Sequence, residues 1–330
     1  MTLHQDSRTR RYEGREPVVP VEVDVKALVT SADEPDGLRL ESVPEPRPAP
    51  GEALVEVHAV AVNRADLLLA ARQPPGARLG LDVAGTVVRA ADDGTGPPVG
   101  TPVAGVAAST GWAQLAAVRT DRLAAVPAEV TPTVAAAVPV AGLTALYALR
   151  RAGWLLGRAV LVTGASGGVG GFVADLAAAG GGAVLGWVGT PERGRHLTER
   201  GHRVHAGYAA PPQGAVDVVV DSVGGPVFRE AFVRLRRGGV AVVFGNTVRA
   251  DLVLPPDWGH ARAGVRLEHL FLLDELERHG ADEDLATLFG LVVDGRLRPH
   301  VGLQADWTDA ATAVRALLER RVTGRVVLTL

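Results

Sequence analysis

Gly164, Gly167 and Gly170 stand at G-x-x-G-x-x-G spacing, directly after the apolar run AVLVT and just before the stretch FVADLAAA. A strand end aims the chain at a phosphate, the missing side chains let the backbone approach it, and the first amides of the next helix bind the anion. This order predicts a nucleotide-binding strand–turn–helix–strand over residues 159–189. The bland alternative is a tight turn that only packs a helix on a sheet.

The dinucleotide is read at the end of the second strand. A carboxylate there would grip ribose hydroxyls, but this strand ends LGWVGT without an acid and continues PERGR. Arg193 in that segment can hold a 2′-phosphate bidentately, so the expected cofactor is NADPH rather than NADH; alone, Arg193 reads equally well as a solvated helix charge. The letters Thr163, Gly164, Gly168 and Gly170 also fit T-G-x-x-x-G-x-G, which resembles the short-chain dehydrogenases. That chemistry needs a Tyr-x-x-x-Lys pair, and Tyr12, Tyr147 and Tyr208 are followed four places on by Glu16, Arg151 and Pro212. The short-chain reading fails.

The elements that must position these residues follow from the rest of the chain. A chain of 330 residues, 47% hydrophobic and 22% charged, has room for two cores. Residues 1–25 are polar and aperiodic and read as an extension, a mobile arm or an added strand. From Lys26, short β-branched runs between Pro and Gly predict a mostly antiparallel barrel or sandwich, with a short helix at 65–72. From about residue 132, strands and helices alternate, which predicts a parallel sheet covered on both faces. The stretch DELERHGADEDLATLFGLVVDGRL reads as one helix, and the C-terminal strand returns to the first domain. The fold class is therefore α/β, a Rossmann-type doubly wound parallel sheet plus a mostly antiparallel β domain.

A net charge of −3 with dispersed basic residues argues against nucleic acid, with only RTRR at 8–11 clustered. No apolar stretch is long enough to suggest a membrane span. The chain has no cysteine, which suits a reducing compartment, and the cytoplasm is the expected location.

In order from Lys26 to Leu330, the segments KALV, AVNRADLLLA, LGLDVAGTVV, VPVAGLTALYAL, VTGASGGVGG, VGTPERGRHLTERG, VDVVVDSVGGPVFREAF, GGVAVVFGNT and TGRVVL resemble the medium-chain dehydrogenase/reductase superfamily, in its zinc-free quinone oxidoreductase and enoyl reductase branch. The resemblance implies a GroES-like substrate domain at 26–136 and 268–330 and a Rossmann domain at 137–267. It implies that Ser166, Gly167, Gly168 and Val169 face a pyrophosphate, and that Thr190, Arg193 and Tyr208 take the 2′-phosphate. Ser222, Val223, Gly245, Asn246 and Thr247 would line the ribose and nicotinamide, with Asn63 and Thr144 beside it. It also implies a homodimer.

The departures from the family narrow the chemistry. Zinc-dependent relatives need a catalytic Cys and His, and GLDVAG lacks the His. His202 and His205 form H-x-x-H, but they fall in a short connection expected to face solvent. No metal site is expected. Hydride transfer to a quinone or an α,β-unsaturated carbonyl, a polyketide intermediate among them, is the expected reaction. Asn246 occupies the place of a lysine in enoyl-thioester reductases and cannot act as a general acid, so Asp274, His269 or water must deliver the proton. The segments RQPPGARLG and LEHLFLLD with Trp112 and Trp258 suggest a bulky apolar or aromatic substrate. Without an acid–base pair, an NADPH-binding regulatory or scaffold protein that turns nothing over remains the alternative.

Overall fold

A computed structural model describes residues 24–34, 37–108, 110–208 and 213–330. Most of the expected N-terminal extension (1–23) and residues 209–212 lie outside the described residues. The chain opens with an antiparallel hairpin, β1 (Asp24–Thr30) and β2 (Leu38–Pro44). The long β3 (Glu52–Val62) follows, then α1 (Arg64–Ala70), β4 (Asp82–Arg89), β5 (Pro102–Val106), β6 (Leu115–Arg119) and β7 (Leu123–Ala125).

Two short-range breaks then carry the chain into the second domain: α2 (Pro132–Ala136) and α3 (Pro139–Ala152), which Pro139 separates because it cannot continue a helix. The alternating half comprises β8 (Ala159–Val162), α4 (Gly168–Ala179), β9 (Ala183–Val188), α5 (Arg195–Thr198), β10 (Arg203–Ala206), β11 (Val216–Asp221), α6 (Gly225–Phe232), β12 (Leu235–Val243), α7 (Trp258–Ala261) and β13 (Arg266–His269). The chain ends α8 (Leu272–His279), α9 (Asp282–Val293), β14 (Val301–Asp306), α10 (Ala310–Leu318) and β15 (Arg325–Thr329).

Parallel strands β8 to β13 form a six-stranded sheet in the order β10-β9-β8-β11-β12-β13, which reverses between β8 and β11. At that reversal the connections leave in opposite directions and open a crevice at the strand ends, where ligands bind in such sheets. The other sheet runs β14-β15-β3-β4-β5-β7, with β6 also on β3. β15 pairs antiparallel with β3, Val326 opposite Val62, so the C-terminal strand does close the first domain.

β3 serves two cores because its register shifts between Val57 and Ala59. Before the shift Val55 and Val57 face the core of the first domain; after it Val60 and Val62 do, and Ala59 and Ala61 join the core beneath α3. One extra residue exchanges the faces of a strand, so this bulge keeps both surfaces apolar where they are needed.

Three expectations are corrected. The single helix at 274–297 is two, α8 and α9, broken at Gly280 with φ +65°, where a Cβ would meet the Asp121 carbonyl oxygen at 2.9 Å. His205 does not lie in a connection, because it belongs to β10, which pairs with β9, whereas His202 sits in the connection just before that strand. His202 does not face solvent either: its ring lies 2.6 Å from Asp175, a carboxylate on the buried face of α4 that also receives Arg200 and the Arg298 amide.

Candidate functional site

β8 delivers the chain into the glycine loop. Gly164 turns it at φ +59°, and Gly167 caps α4, whose first-turn amides on Gly168, Val169 and Gly170 have no intrahelical partner. A Cβ on Gly170 would meet the Gly164 carbonyl oxygen at 2.4 Å and Ala165 Cα at 2.7 Å. On Gly168 it would meet Arg325 Cδ at 3.0 Å. The glycines therefore serve close packing of loop on helix and loop on β15, and they leave amides gathered for an anion. These features fit the diphosphate of a nicotinamide dinucleotide.

The strand ends around the reversal are tied by Asp221, which is fully buried. It accepts Thr163 Oγ1 at 2.5 Å and the Gly224 amide at 2.9 Å, and Thr163 Oγ1 in turn accepts the Ser222 amide at 3.2 Å. Burial pushes the Asp221 carboxyl above the ordinary range, and these donors pull it back. Ser222 and Val223 are thus held at the crevice. Thr247 Oγ1 donates to the Ser222 carbonyl at 2.8 Å, which brings the loop after Gly245 alongside. Asn246 closes that loop, giving a hydrogen bond to the Ala250 carbonyl and receiving one from the Ala250 amide.

At the seam between the domains lies a buried charged network. Asn63 Nδ2 donates to Asp66 at 2.9 Å and to Asp82 at 2.8 Å, while its Oδ1 accepts from Arg325 Nη1 at 2.6 Å. Asp82 also receives Arg325 Nη2 at 2.5 Å and the Val140 amide at 2.7 Å, at the start of α3. Both amide hydrogens of Asn63 are therefore committed to carboxylates. It couples α1, β4 and β15, and its amide has no hydrogen left to offer the crevice. Thr144, one turn into α3 from Val140, is buried and donates to the Val140 carbonyl at 2.6 Å.

Two carboxylates and one guanidinium leave this network one positive charge short. Burial first, and Asp82 second, push the Asp66 carboxyl up to about 7. Asp66 thus holds a proton in the folded chain at pH values where the unfolded chain, with a carboxyl near 3.9, has released it. Ionisation of Asp66 opposes folding, so its contribution falls as pH rises from about 4 through 7. Asp66→Asn is expected to remove this loss and gain on the parent by a few kcal/mol between pH 5 and pH 8. Urea midpoints at the two pH values check it, and equal slopes in both proteins would refute it.

The remaining expected residues disperse. Arg193 is half-buried and donates to the carbonyls of Arg320 and Val322, which orients the guanidinium and leaves three N–H groups without a partner among the described residues. Thr190 donates to Glu192, an acid close to the expected phosphate position. Tyr208 is exposed, tilted on Trp187 at 5.5 Å. His269 ends the edge strand β13 and is exposed, not part of a buried strand face. Asp274 forms an exposed pair with Arg278 at 2.7 Å. Trp112, expected to line a substrate site, is 1% exposed and packed under Gly80, while Trp258 is 42% exposed.

Asp66, Asp82 and Arg325 were missed as site residues. The only available signal was an acid at each of two segments already singled out, AVNRADLLLA and LGLDVAGTVV.

Two family models match the chain. An alcohol dehydrogenase GroES-like domain matches residues 49–156, and a zinc-binding dehydrogenase domain matches residues 201–328. The chain is 34% identical over 296 residues to the spectinabilin polyketide synthase system protein NorB of Streptomyces orinoci, covering 86% of this chain but 13% of that protein. It is 28% identical over 316 residues to quinone oxidoreductase-like protein 2 of Bos taurus, covering 86% of this chain and 87% of that one. A mycobacterial protein solved in complex with NADPH superposes with a TM-score of 0.80 at 28% identity, over 93% of this chain and 100% of that one.

Proposed function

Because the chain belongs to the medium-chain dehydrogenase/reductase superfamily, in its quinone oxidoreductase and enoyl reductase branch, we propose that this oxidoreductase is NADPH-dependent and zinc-independent. Its acceptor is a small molecule with an electron-poor double bond, a quinone or an α,β-unsaturated carbonyl. The observation that carries this reading is the loop at 164–170, whose unpartnered amides and absent side chains make a diphosphate cradle at the reversal of a parallel sheet.

Ser166, Gly167, Gly168 and Val169 hold the diphosphate in this reading, and Thr190, Arg193 and Tyr208 surround the 2′-phosphate. Ser222, Val223, Gly245, Asn246 and Thr247 line the ribose and nicotinamide. When bound, the coenzyme supplies the hydride. The chain orients the two reactants across the domain seam and keeps water from them. With the Asn63 amide spent, Thr144 is the donor we assign to the developing oxyanion, since its hydroxyl can rotate off the Val140 carbonyl. Asn246 is engaged in its own turn and offers no proton, so solvent or the exposed His269 completes the reduction. That favours a quinone slightly, whereas the polyketide synthase relative keeps an enoyl acceptor close behind.

The donor set supports the zinc-independent reading. The chain has no cysteine, and among the described residues no three His, Asp or Glu side chains gather where they could hold a metal ion. The open edge strand β13, with Leu267 50% exposed and Phe271 57% exposed nearby, supports the homodimer we propose. Light scattering should give twice 34.3 kDa, and Leu267→Arg should halve it; a monomer in the parent would rule this out.

The function is tested by NADPH oxidation against simple quinones and enones. Turnover is expected, with Arg193→Ala raising KM for NADPH about 10-fold or more and leaving NADH little changed. Tight NADPH binding with no turnover on any acceptor would favour the second reading, a regulatory or scaffold protein, which the spent Asn63 amide supports.

A further inference from the structure

The buried network at the seam reaches the glycine loop through one side chain. A Cβ on Gly168, the first residue of α4, would meet Arg325 Cδ at 3.0 Å and Nη1 at 3.3 Å. Gly324, just before Arg325, donates its amide to the Ser166 carbonyl at 2.9 Å and bridges Gly167. The Arg325 guanidinium therefore lies against the helix turn whose amides are gathered for a diphosphate. From there two hydrogen bonds lead to Asp66: Arg325 Nη1 to Asn63 Oδ1 at 2.6 Å, and Asn63 Nδ2 to Asp66 Oδ2 at 2.9 Å. Asn63, Asp66, Asp82 and Arg325 are all buried, so little water screens one charge from another.

Asp66 has no cation of its own in this network. Arg325 gives one outer nitrogen to Asn63 and the other to Asp82, whose second oxygen accepts the Val140 amide. Asp66 Oδ2 receives the backbone and side-chain N–H groups of Asn63 at 2.8 and 2.9 Å. Its Oδ1 is buried without a partner among the described residues. A buried carboxylate oxygen to which nothing donates is where a proton settles. The charged groups that face Asp66 are Asp82 on β4 and Arg325 on β15, while α3 brings only the uncharged Val140 amide. In agreement, burial first and Asp82 second raise the carboxyl to about 7. With Asp66 protonated the network is neutral; with Asp66 ionised it carries one net negative charge beneath the cradle.

We propose that Asp66 takes up a proton from solvent when a coenzyme diphosphate settles in the cradle, so that coenzyme binding and the charge of the seam are linked. The inference rests on the coenzyme reading above and adds that a buried group of the first domain, which no acceptor needs to touch, sets the pH range of tight binding. The sign follows from repulsion. An anion over α4 disfavours a second negative charge in the same poorly screened seam, and linkage makes the effect mutual. Affinity is therefore highest where Asp66 is protonated and falls as pH rises through 7. A difference of about 10-fold in affinity between the two forms corresponds to about half a proton taken up near pH 7.5.

Calorimetry of NADPH binding to the full chain at about pH 7.5, in HEPES and in Tris, counts the protons, because the two buffers differ in ionisation enthalpy. Asp66→Asn is the reference, since protons exchanged by the phosphate monoester of NADPH itself are common to both proteins. The parent should take up about half a proton more per NADPH than Asp66→Asn, and its affinity should fall about 10-fold more between about pH 6 and pH 9. A purely structural role for Asp66 leaves the two proton counts equal. Should the variant fold poorly, ADP-ribose, a diphosphate without a monoester, repeats the count on the parent at about pH 5 and pH 7.5. Uptake is expected only at the higher pH, and equal counts at both overturn the linkage. NADPH bound by parent and variant with equal counts, or with fewer protons taken up by the parent, overturns the linkage and leaves the coenzyme reading standing. NADPH that binds neither protein removes the coenzyme reading and this inference with it.

Discussion

Arg325→Met is expected to lower the unfolding free energy by about 3–5 kcal/mol, the range for removing one partner of a buried ion pair. The side chains of Arg325 and Asp82 are 3% and 0% exposed, so no water can take over the lost contact. Asp82 would keep only Asn63 and the Val140 amide, and Asp66 would lose the one cation that offsets it. Methionine fills most of the arginine stem, so the loss reports charge rather than a cavity. Adding Asp82→Asn should recover a large part of it, because the uncompensated carboxylate is then gone. Chemical denaturation of the single and double variants measures both. A single-variant loss below about 1 kcal/mol would mean that the network carries no buried charge.

Gly170→Ala is expected to weaken NADPH binding about 100-fold, the scale on which displacement of a positioned group by an ångström acts. Its Cβ would lie 2.4 Å from one backbone oxygen, 2.7 Å from a backbone Cα and 2.9 Å from another backbone oxygen. None of these is a flexible side chain, so the loop or the helix must move, at a stability cost of about 1–3 kcal/mol. The neighbouring Gly171 supplies the control. A Cβ there meets nothing within 4 Å, and Gly171→Ala should bind NADPH as the parent does and gain up to about 1 kcal/mol from lower helix entropy cost. Equal binding by both variants would show that the approach of Gly170 to Gly164 does not shape the cradle.

The cradle was legible because its parts are contiguous. Strand, turn and helix are read from neighbouring letters, and the close approach of Gly170 to Gly164 spans six positions. The alternation of elements likewise announces a parallel sheet, since each strand must cross back through a helix. Legibility failed wherever a residue's role depends on a distant partner. His202 looked solvated because it falls in a short connection, yet α4 brings Asp175, 27 positions away, under it. Trp112 looked like a pocket wall because an indole between small residues gives no hint that Gly80 leaves room for it in the core.

By itself the sequence determined the α/β plan, the glycine turn between strand and helix and the return of the last strand, because local periodicity and glycine spacing encode them directly. Only the tertiary structure decided what Asn63 does and what surrounds Arg193. The bonds from Arg325 to Asp82 and Asn63 cross 243 and 262 positions, and those from Arg193 to the turn before β15 cross 127 and 129. An amide that reads as a donor to substrate is consumed by two carboxylates and a guanidinium that burial forces together, since a charge removed from water must find partners inside the protein.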